Sequence, residues 1–404
     1  MMQPANNRAD VPEAAACEHS RRLLDLIRKE AVVRDGLLPF DRFMELALYA
    51  PGLGYYMVGT RKLGREGDFA TAPEISPLFG RCVAAQCREV LEVLGGGDIL
   101  EFGAGSGALA AEILSQLARV ASTPHSYLIL ELSPELRERQ HRLLAERVPD
   151  LLPRVHWLDG LPTRFRGCAL ANEVLDAMPV HRFRIGSGGE PRELFVKSSP
   201  KGLVEIDAEP VSPGLVPAVR ALQGRGLAID PGYESEVSLR VGPWIRSIGE
   251  ILEQGLVLLI DYGYPQTEYY RADRHRGTLM SHYRHRAQAD PCLRPGLQDI
   301  TAHVDFTAVA EAGALAGLRL AGYTTQAHFL IGCGLDRLLA QVAAGPDSMD
   351  LMLGAKQLVL PAAMGERFQA IGLDKGVEES WTGFSFRDLR ERLGCSETAY
   401  GYGR

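Results

Sequence analysis

The stretch DILEFGAGSGALAAEIL, Asp98 to Leu114, runs from a short apolar segment into glycines at 103, 105 and 107 and then into a second apolar segment with helical spacing. That order predicts a strand, a tight turn and a helix. Glycine supports the turn because it lacks a Cβ, and the helix N-terminus leaves backbone N–H groups free for a ligand. A nucleotide-like ligand therefore fits at Gly103, Gly105 and Gly107. Two cofactors compete at this point, because Gly105 to Ala110 also satisfies the GxGxxA form of the dinucleotide fingerprint. The acid that ends the strand decides between them. Glu101 would repel a pyrophosphate, whereas it can accept hydrogen bonds from the ammonium of S-adenosylmethionine (SAM).

Outward from this loop the chain alternates strands and helices, the pattern of a mostly parallel sheet covered by helices. Strands are expected near Ile99–Phe102, Tyr127–Glu131, Arg154–Leu158, Cys168–Ala171 and Leu256–Asp261, then near Leu318–Tyr323 and Arg367–Leu373, with helices from about Asp305 to Gly317 and between 333 and 365. Two stretches break the alternation: 180–210, which reads as antiparallel strands around Gly186–Gly189, and the loop-rich 262–300. Residues 1–94 read as a helical lead-in plus a long glycine-rich loop, Pro51 to Glu74; 95–375 as the core, with insertions at about 180–253 and 262–304; and 376–404 as a tail. Glu131, at the end of the second strand and 24 residues past Gly107, suits the hydroxyls of a ribose. Asp159, after the third strand, can accept from an adenine amino group; the plainer reading of both acids is as loop caps.

Composition narrows the classes. The chain has 404 residues, 46% hydrophobic and 24% charged, which is globular and excludes disorder and collagen-like repeats. A net charge of -7 disfavours non-specific nucleic-acid binding. The seven cysteines form no CxxC pair, and His282, His285 and His303 match no ligand spacing, so no metal is expected. The longest aliphatic run, Leu256 to Ile260, cannot span a bilayer, and the N-terminus has neither the apolar core of a signal peptide nor the acid-poor composition of a transit peptide. A cytoplasmic protein of bacterial type is expected, and nothing in the pattern fixes an oligomeric state. One local exception to the acidic balance stands out: Arg271 to Arg286 holds five arginines and three histidines against one acid.

Several strings, in one order, resemble the MidA-like family, which includes a mitochondrial complex I assembly factor that is a protein arginine methyltransferase. They are LGYYMVG at Leu53–Gly59, GDFATAPEISPLFG at Gly67–Gly80, EFGAGSGALA at Glu101–Ala110, ANEVLDAMPVHRF at Ala171–Phe183, LLIDYG at Leu258–Gly263 and DITAHVDF at Asp299–Phe306. Departures are Ala72 before Pro73 and Pro77 after Ser76, where many members read SPEISQ. The resemblance implies a class I methyltransferase fold with SAM at the carboxyl ends of the strands. It also implies a lid at GDFATAPEIS whose Thr71, Pro73, Glu74 and Ser76 approach the methionine end, though TAPEIS can equally be a helix cap.

An arginine substrate needs carboxylates to grip its guanidinium by paired hydrogen bonds. Asn172, Glu173 and Asp176 follow the fourth strand, where they overhang the ligand crevice, and one turn of helix would put Glu173 and Asp176 on one face. Asn172 is assigned to the cofactor and the two acids to catalysis, with first-turn capping as the plainer reading. His303 is expected to orient a substrate acid or acceptor, Thr301 and Asp305 to form the opposite wall, and Tyr55 and Tyr56 to line the site or anchor their loop. The function so expected is SAM-dependent methylation of a protein, at arginine, linked to assembly of a complex I-type enzyme. The alternatives are a non-catalytic SAM-binding assembly factor and an NAD-dependent oxidoreductase.

Overall fold

In the computed structural model, residues 14–57, 71–200, 202–284, 286–342 and 348–395 are described. In chain order, α1 (Ala14–Val32), β1 (Leu37–Pro39) and α2 (Phe40–Tyr49) lead to α3 (Ala72–Ile75) and α4 (Pro77–Leu94). The alternating region follows as β2 (Asp98–Phe102), α5 (Ala108–Arg119), β3 (Tyr127–Leu130), α6 (Pro134–Arg147), β4 (Val155–Leu158) and β5 (Phe165–Asn172). A first excursion contains β6 (His181–Ile185), β7 (Pro191–Ser199), β8 (Gly202–Ala208), α7 (Leu215–Gly224) and β9 (Glu234–Val237), before α8 (Val241–Ile251) and β10 (Leu252–Tyr264) return to the core. A second contains α9 (Gln266–Tyr269), β11 (Met280–Tyr283), β12 (Arg286–Gln288), β13 (Asp299–Thr301) and β14 (Val304–Asp305). The chain continues through α10 (Phe306–Leu315), β15 (Arg319–Thr325), α11 (Gln326–Gly332), α12 (Leu335–Val342), α13 (Ser348–Val359) and β16 (Phe368–Lys375).

The central sheet has the order β15-β16-β10-β5-β2-β3-β4. Strands β10, β5, β2, β3 and β4 are mutually parallel, and β16 runs antiparallel to both β10 and β15. The sheet is thus α/β and mostly parallel. After β4 the chain crosses to the other side of β2 to lay down β5, so the strand order reverses between β2 and β5. A crevice opens beyond the carboxyl ends of strands at such a reversal. The run Leu256–Ile260 is fully buried because helices cover both faces of β10: α4 and α5 contribute to one core, α8 and α10 to the other.

The helical lead-in has a positioning role. Leu23, Ile27 and Ala31 recur every fourth residue on α1, and they pack with Phe40, Phe43 and Ala47 of α2 and with Ile300 and Ala302 beside β13. β1 pairs with β7. The lead-in is therefore held between the two excursions, with the end of α2 facing the crevice.

Several expectations need correction. Residues 262–300 hold a three-stranded sheet, β12-β11-β13, rather than loops alone. Their strands are only three or four residues long, too short to show period-two alternation. Residues 58–70, which hold most of the loop expected from Pro51 to Glu74 and the first four residues of the segment expected as a lid, lie outside the described residues. The segment after β16, expected as a tail, inserts Trp381 and Phe384 into the core; Trp381 donates its indole N–H to buried Asp374 at 3.0 Å, and Arg319 donates to the same carboxylate. Trp381→Ala is accordingly expected to cost roughly 3–5 kcal/mol. A urea midpoint equal to the parent's would show that this segment is dispensable to the fold.

Candidate functional site

At the carboxyl end of β2, Gly103, Gly105 and Gly107 all have positive φ, at 60°, 54° and 88°. A Cβ at Gly103 would stand 3.2 Å from the Val174 side chain, and one at Gly107 3.2 Å from the Cα of Gln140, so the turn is closed to larger residues on both sides. Glu101 is buried beneath it and accepts from the Tyr127 hydroxyl at 2.7 Å; burial lifts its carboxyl to about 7. At the end of β3, Glu131 accepts from the Ser133 N–H at 3.0 Å and from Gln140 Nε2 at 3.1 Å, and burial raises its pKa as well.

Gln140 joins these parts. It also donates to the Gly105 carbonyl at 2.9 Å and accepts from the Trp157 indole at 2.9 Å, so one amide side chain spans the glycine turn, the β3 acid and β4. Sequence reasoning missed it. The signal was an uncharged polar residue among the charges of α6, which periodicity does not distinguish from surface.

These residues open on a cavity of about 910 Å³. Its lining includes Thr71, Pro73, Glu101, Gly103, Gly105, Glu131 and Asn172 from the cofactor assignments, and Glu173, Asp176, His303, Thr301 and Tyr56 from the catalytic and substrate assignments. The remaining assignments fall elsewhere. Asp159 has a 93% exposed side chain in an ion pair with Arg137 at 2.7 Å, and it is absent from the lining. Ser76 is buried as the N-cap of α4, accepting from the Leu78 N–H at 3.3 Å. Glu74 accepts from Ser106 and borders a neighbouring cavity instead. Gly107 packs on Gln140 outside the lining. Tyr55 is a core residue set edge-on to Tyr56, with ring centroids 5.2 Å apart. Asp305 caps α10, accepting from Ala308 N–H at 3.1 Å and from Gln266 at 2.9 Å. Capping residues and site residues share the same chemistry, so spacing alone could not separate them.

The turn after β5 is not the helix that was expected. Glu173 takes φ 53°, in the left-handed region that side chains rarely adopt, and donates its N–H to the Ile260 carbonyl at 2.9 Å. Its Oε1 accepts from Ala72 N–H at 3.2 Å and from Asn172 Nδ2 at 3.1 Å. Asp176 accepts from the Tyr262 hydroxyl through one oxygen, while the other, Oδ1, is buried without a partner. Opposite them, Asp299 accepts from the Tyr56 hydroxyl at 2.9 Å. Burial, then the charge of Asp176 and more weakly that of Asp299, push Glu173 up to about 8. Burial also raises Asp176 and Asp261. His303 stacks on Tyr264, its rings 5.2 Å apart and 6° from parallel, and stands edge-on to Tyr262. Burial and the nearby charges of Arg274 and Arg367 hold its imidazole down at about 4, so it is neutral at pH 7. Glu45, Tyr49, Arg240 and Tyr262 also line the cavity, and the sequence reading had passed over all four.

Comparison with known proteins bears on this geometry. A family described as a putative S-adenosyl-L-methionine-dependent methyltransferase matches residues 82–324. A mouse protein named protein arginine methyltransferase NDUFAF7, mitochondrial, is 31% identical over 375 residues, covering 84% of this chain and 81% of the mouse protein. The fruit-fly homolog of that name is 28% identical, covering 93% of this chain and 90% of its own. A crystal structure of a likely methyl transferase from Burkholderia thailandensis, bound to S-adenosyl-homocysteine, is 40% identical with a TM-score of 0.89, covering 94% of this chain and 99% of that one. The curated relatives are named as mitochondrial proteins, which overturns the expectation of a cytoplasmic one.

The raised carboxyls make stability depend on pH. Glu173 keeps its proton in the fold up to about 8, whereas the unfolded chain loses it near 4.5. The folded form then binds more protons in that window, so stability falls as pH rises from 4.5 towards 8. In Glu173→Gln the fall in thermal midpoint between pH 5 and 8 is expected to be shallower than in the parent; parallel curves would refute the burial of this charge.

Proposed function

The chain belongs to the MidA-like family of S-adenosyl-L-methionine-dependent methyltransferases, and from that premise we propose that it methylates the guanidinium of an arginine on a protein substrate. The observation that carries this reading is the convergence of Glu173, Asp176 and Asp299 on one cavity, with a buried oxygen of Asp176 left unpartnered. Mutually repelling buried carboxylates recognise a cation, and the planar fork of a guanidinium can meet two of them at once. Arg240 does not neutralise them, since it is held by Glu45 at 2.9 Å and by Asp41 at 3.6 Å.

The cofactor is SAM. The glycine turn offers backbone that a ligand can approach closely, Glu101 suits its ammonium, Glu131 its ribose, and the buried, unpartnered Oδ1 of half-buried Asn172 a further donor. When bound, SAM supplies a methyl group activated by its sulfonium. The residues of the chain position the acceptor. Glu173 has Oε1 occupied by Ala72 and Asn172, so Oε2 is the oxygen that meets the substrate. Asp176, fixed by Tyr262, accepts a second N–H and draws the positive charge to its side. Binding of the guanidinium cation displaces the proton of Glu173 to solvent, and the carboxylate so formed is the group placed to receive the one proton that methylation then releases. Following the resemblance to a family that includes a complex I assembly factor, we extend the proposal to a substrate in a respiratory complex I-type assembly.

The test is methyl transfer to peptides carrying a single arginine or a single lysine, followed by mass. Glu173→Gln is expected to lower transfer to arginine by about a hundredfold or more, while SAM affinity by calorimetry stays within a few-fold. Preferential modification of lysine, or unchanged transfer in the variant, would overturn the assignment.

A further inference from the structure

The single helical turn α3 stands between two cavities. Thr71, Pro73 and Ile75 line the large one, Pro73 and Glu74 line the neighbouring one of about 510 Å³, and Ser106 of the glycine turn borders both. A helix of four residues, with no side-chain bond from its N-cap Thr71, has little stability of its own. Its place is set by what it bonds to and packs against.

Two polar bonds join α3 to the carboxyl edge of the sheet. Ser106 donates its hydroxyl to Glu74 Oε1, while the same hydroxyl oxygen accepts from the Ala108 N–H at 3.3 Å, at the start of α5. Two residues before Glu74, Ala72 donates its N–H to Glu173 Oε1 at 3.2 Å. One turn of backbone is thus pinned on one side to the loop that takes the cofactor and on the other to the acid that meets the substrate. Ala72 and Ser106 are both buried, so water is a poor replacement for the partner of either.

The Ala72 bond also bears on the charge of Glu173. Asp176 on the same turn, Asp261 at the end of β10 and Asp299 on β13 bring like charge to it, and the N–H groups of Ala72 and Asn172 oppose them by favouring the carboxylate. Because both donors sit on Oε1, they leave Oε2 for the acceptor. A shift of α3 away from the sheet would remove one of the two.

We infer that Glu74 and Ser106 are positioning residues for Glu173: their bond holds α3 where the Ala72 N–H supports the carboxylate that grips the substrate. This rests on the arginine reading above. It gives Glu74, which stands outside the large cavity, a part in the reaction through its neighbour on α3.

The experiment uses the full chain at saturating SAM with a peptide carrying one arginine, and follows kcat/KM for the peptide from pH 5 to 10. In the parent, activity is expected to rise with pH as Glu173 loses its proton. In Glu74→Ala, and separately in Ser106→Ala, that rise is expected to move upward by roughly half a pH unit, with kcat/KM at pH 7 lower by roughly three- to tenfold. Glu74→Gln keeps an oxygen that accepts from Ser106 and is expected to stay within about twofold of the parent. The double alanine variant is expected to be no slower than the slower single one, since both changes remove the same bond. If Glu74→Ala does not reach the thermal midpoint of the parent, Ser106→Ala carries the comparison. A rise at the parent's pH in the alanine variants, or losses that add in the double variant, overturns the inference and leaves the arginine reading standing. Failure of the parent to methylate the peptide, with SAM shown by calorimetry to be bound, overturns the arginine reading itself.

Discussion

Asp261, at the end of the longest core strand, accepts the N–H groups of Leu175 and Asp176 through one oxygen, at 2.9 and 3.2 Å, and that of Tyr262 through the other, at 2.9 Å. These bonds tie the turn that follows β5 to β10, with Glu173 bonded to the Ile260 carbonyl alongside. The left-handed backbone at Glu173 is strained for a residue with a side chain, and it persists because its neighbours are fixed in this way. Asp176 in turn supports the opposite wall, since its carbonyl accepts from Ala302 N–H at 3.0 Å and one of its carboxylate oxygens from Tyr262. Removing Asp261 would leave three buried N–H groups without an acceptor, and the substrate wall would lose its reference to the sheet.

The same arrangement opposes stability. Glu173, Asp176, Asp261 and Glu101 are carboxyls taken out of water, three of them against one another, and burial raises the pKa of each. A protein selected for stability alone would fill such a space with apolar side chains. The fold offsets the cost through two cores on either face of the sheet and through the lead-in helices packed across the excursions. A bound cation would lower the electrostatic part of that cost.

The two ends of the cavity differ in how far they could be read from sequence. Gly103 and Gly105, with Glu101 and Glu131 at the ends of β2 and β3, are local features, and the strand-turn-helix pattern alone was enough to place them at the carboxyl edge of the sheet. The mostly parallel sheet was legible for the same reason, since apolar runs such as Leu256–Ile260 carry their own signal. Glu173 and Asp176 were legible as residues and not as geometry, because a helical turn and the strained turn actually present share the same spacing. Asp299, Glu45 and Tyr262 join the site through pairings between distant segments, Glu45 with Arg240 and Tyr262 with Asp176, while Tyr56, already named from the sequence, reaches Asp299 across 243 residues. Ser76 and Asp305 show the converse error, as caps whose type and position imitate site residues.

That asymmetry has a structural cause. The cofactor end is built from β2, β3 and α6, elements of the sheet and its cover, whereas the substrate end draws on α2, β11 and β13, which belong to the lead-in and the second excursion. Changes in the added elements can alter what reaches the methyl group without disturbing Glu101, the glycine turn or the Gln140 network. On the proposed reading, acceptor selection and cofactor binding therefore rest on different elements of the chain, and the cofactor end is the one fixed by burial and by bonds to the sheet.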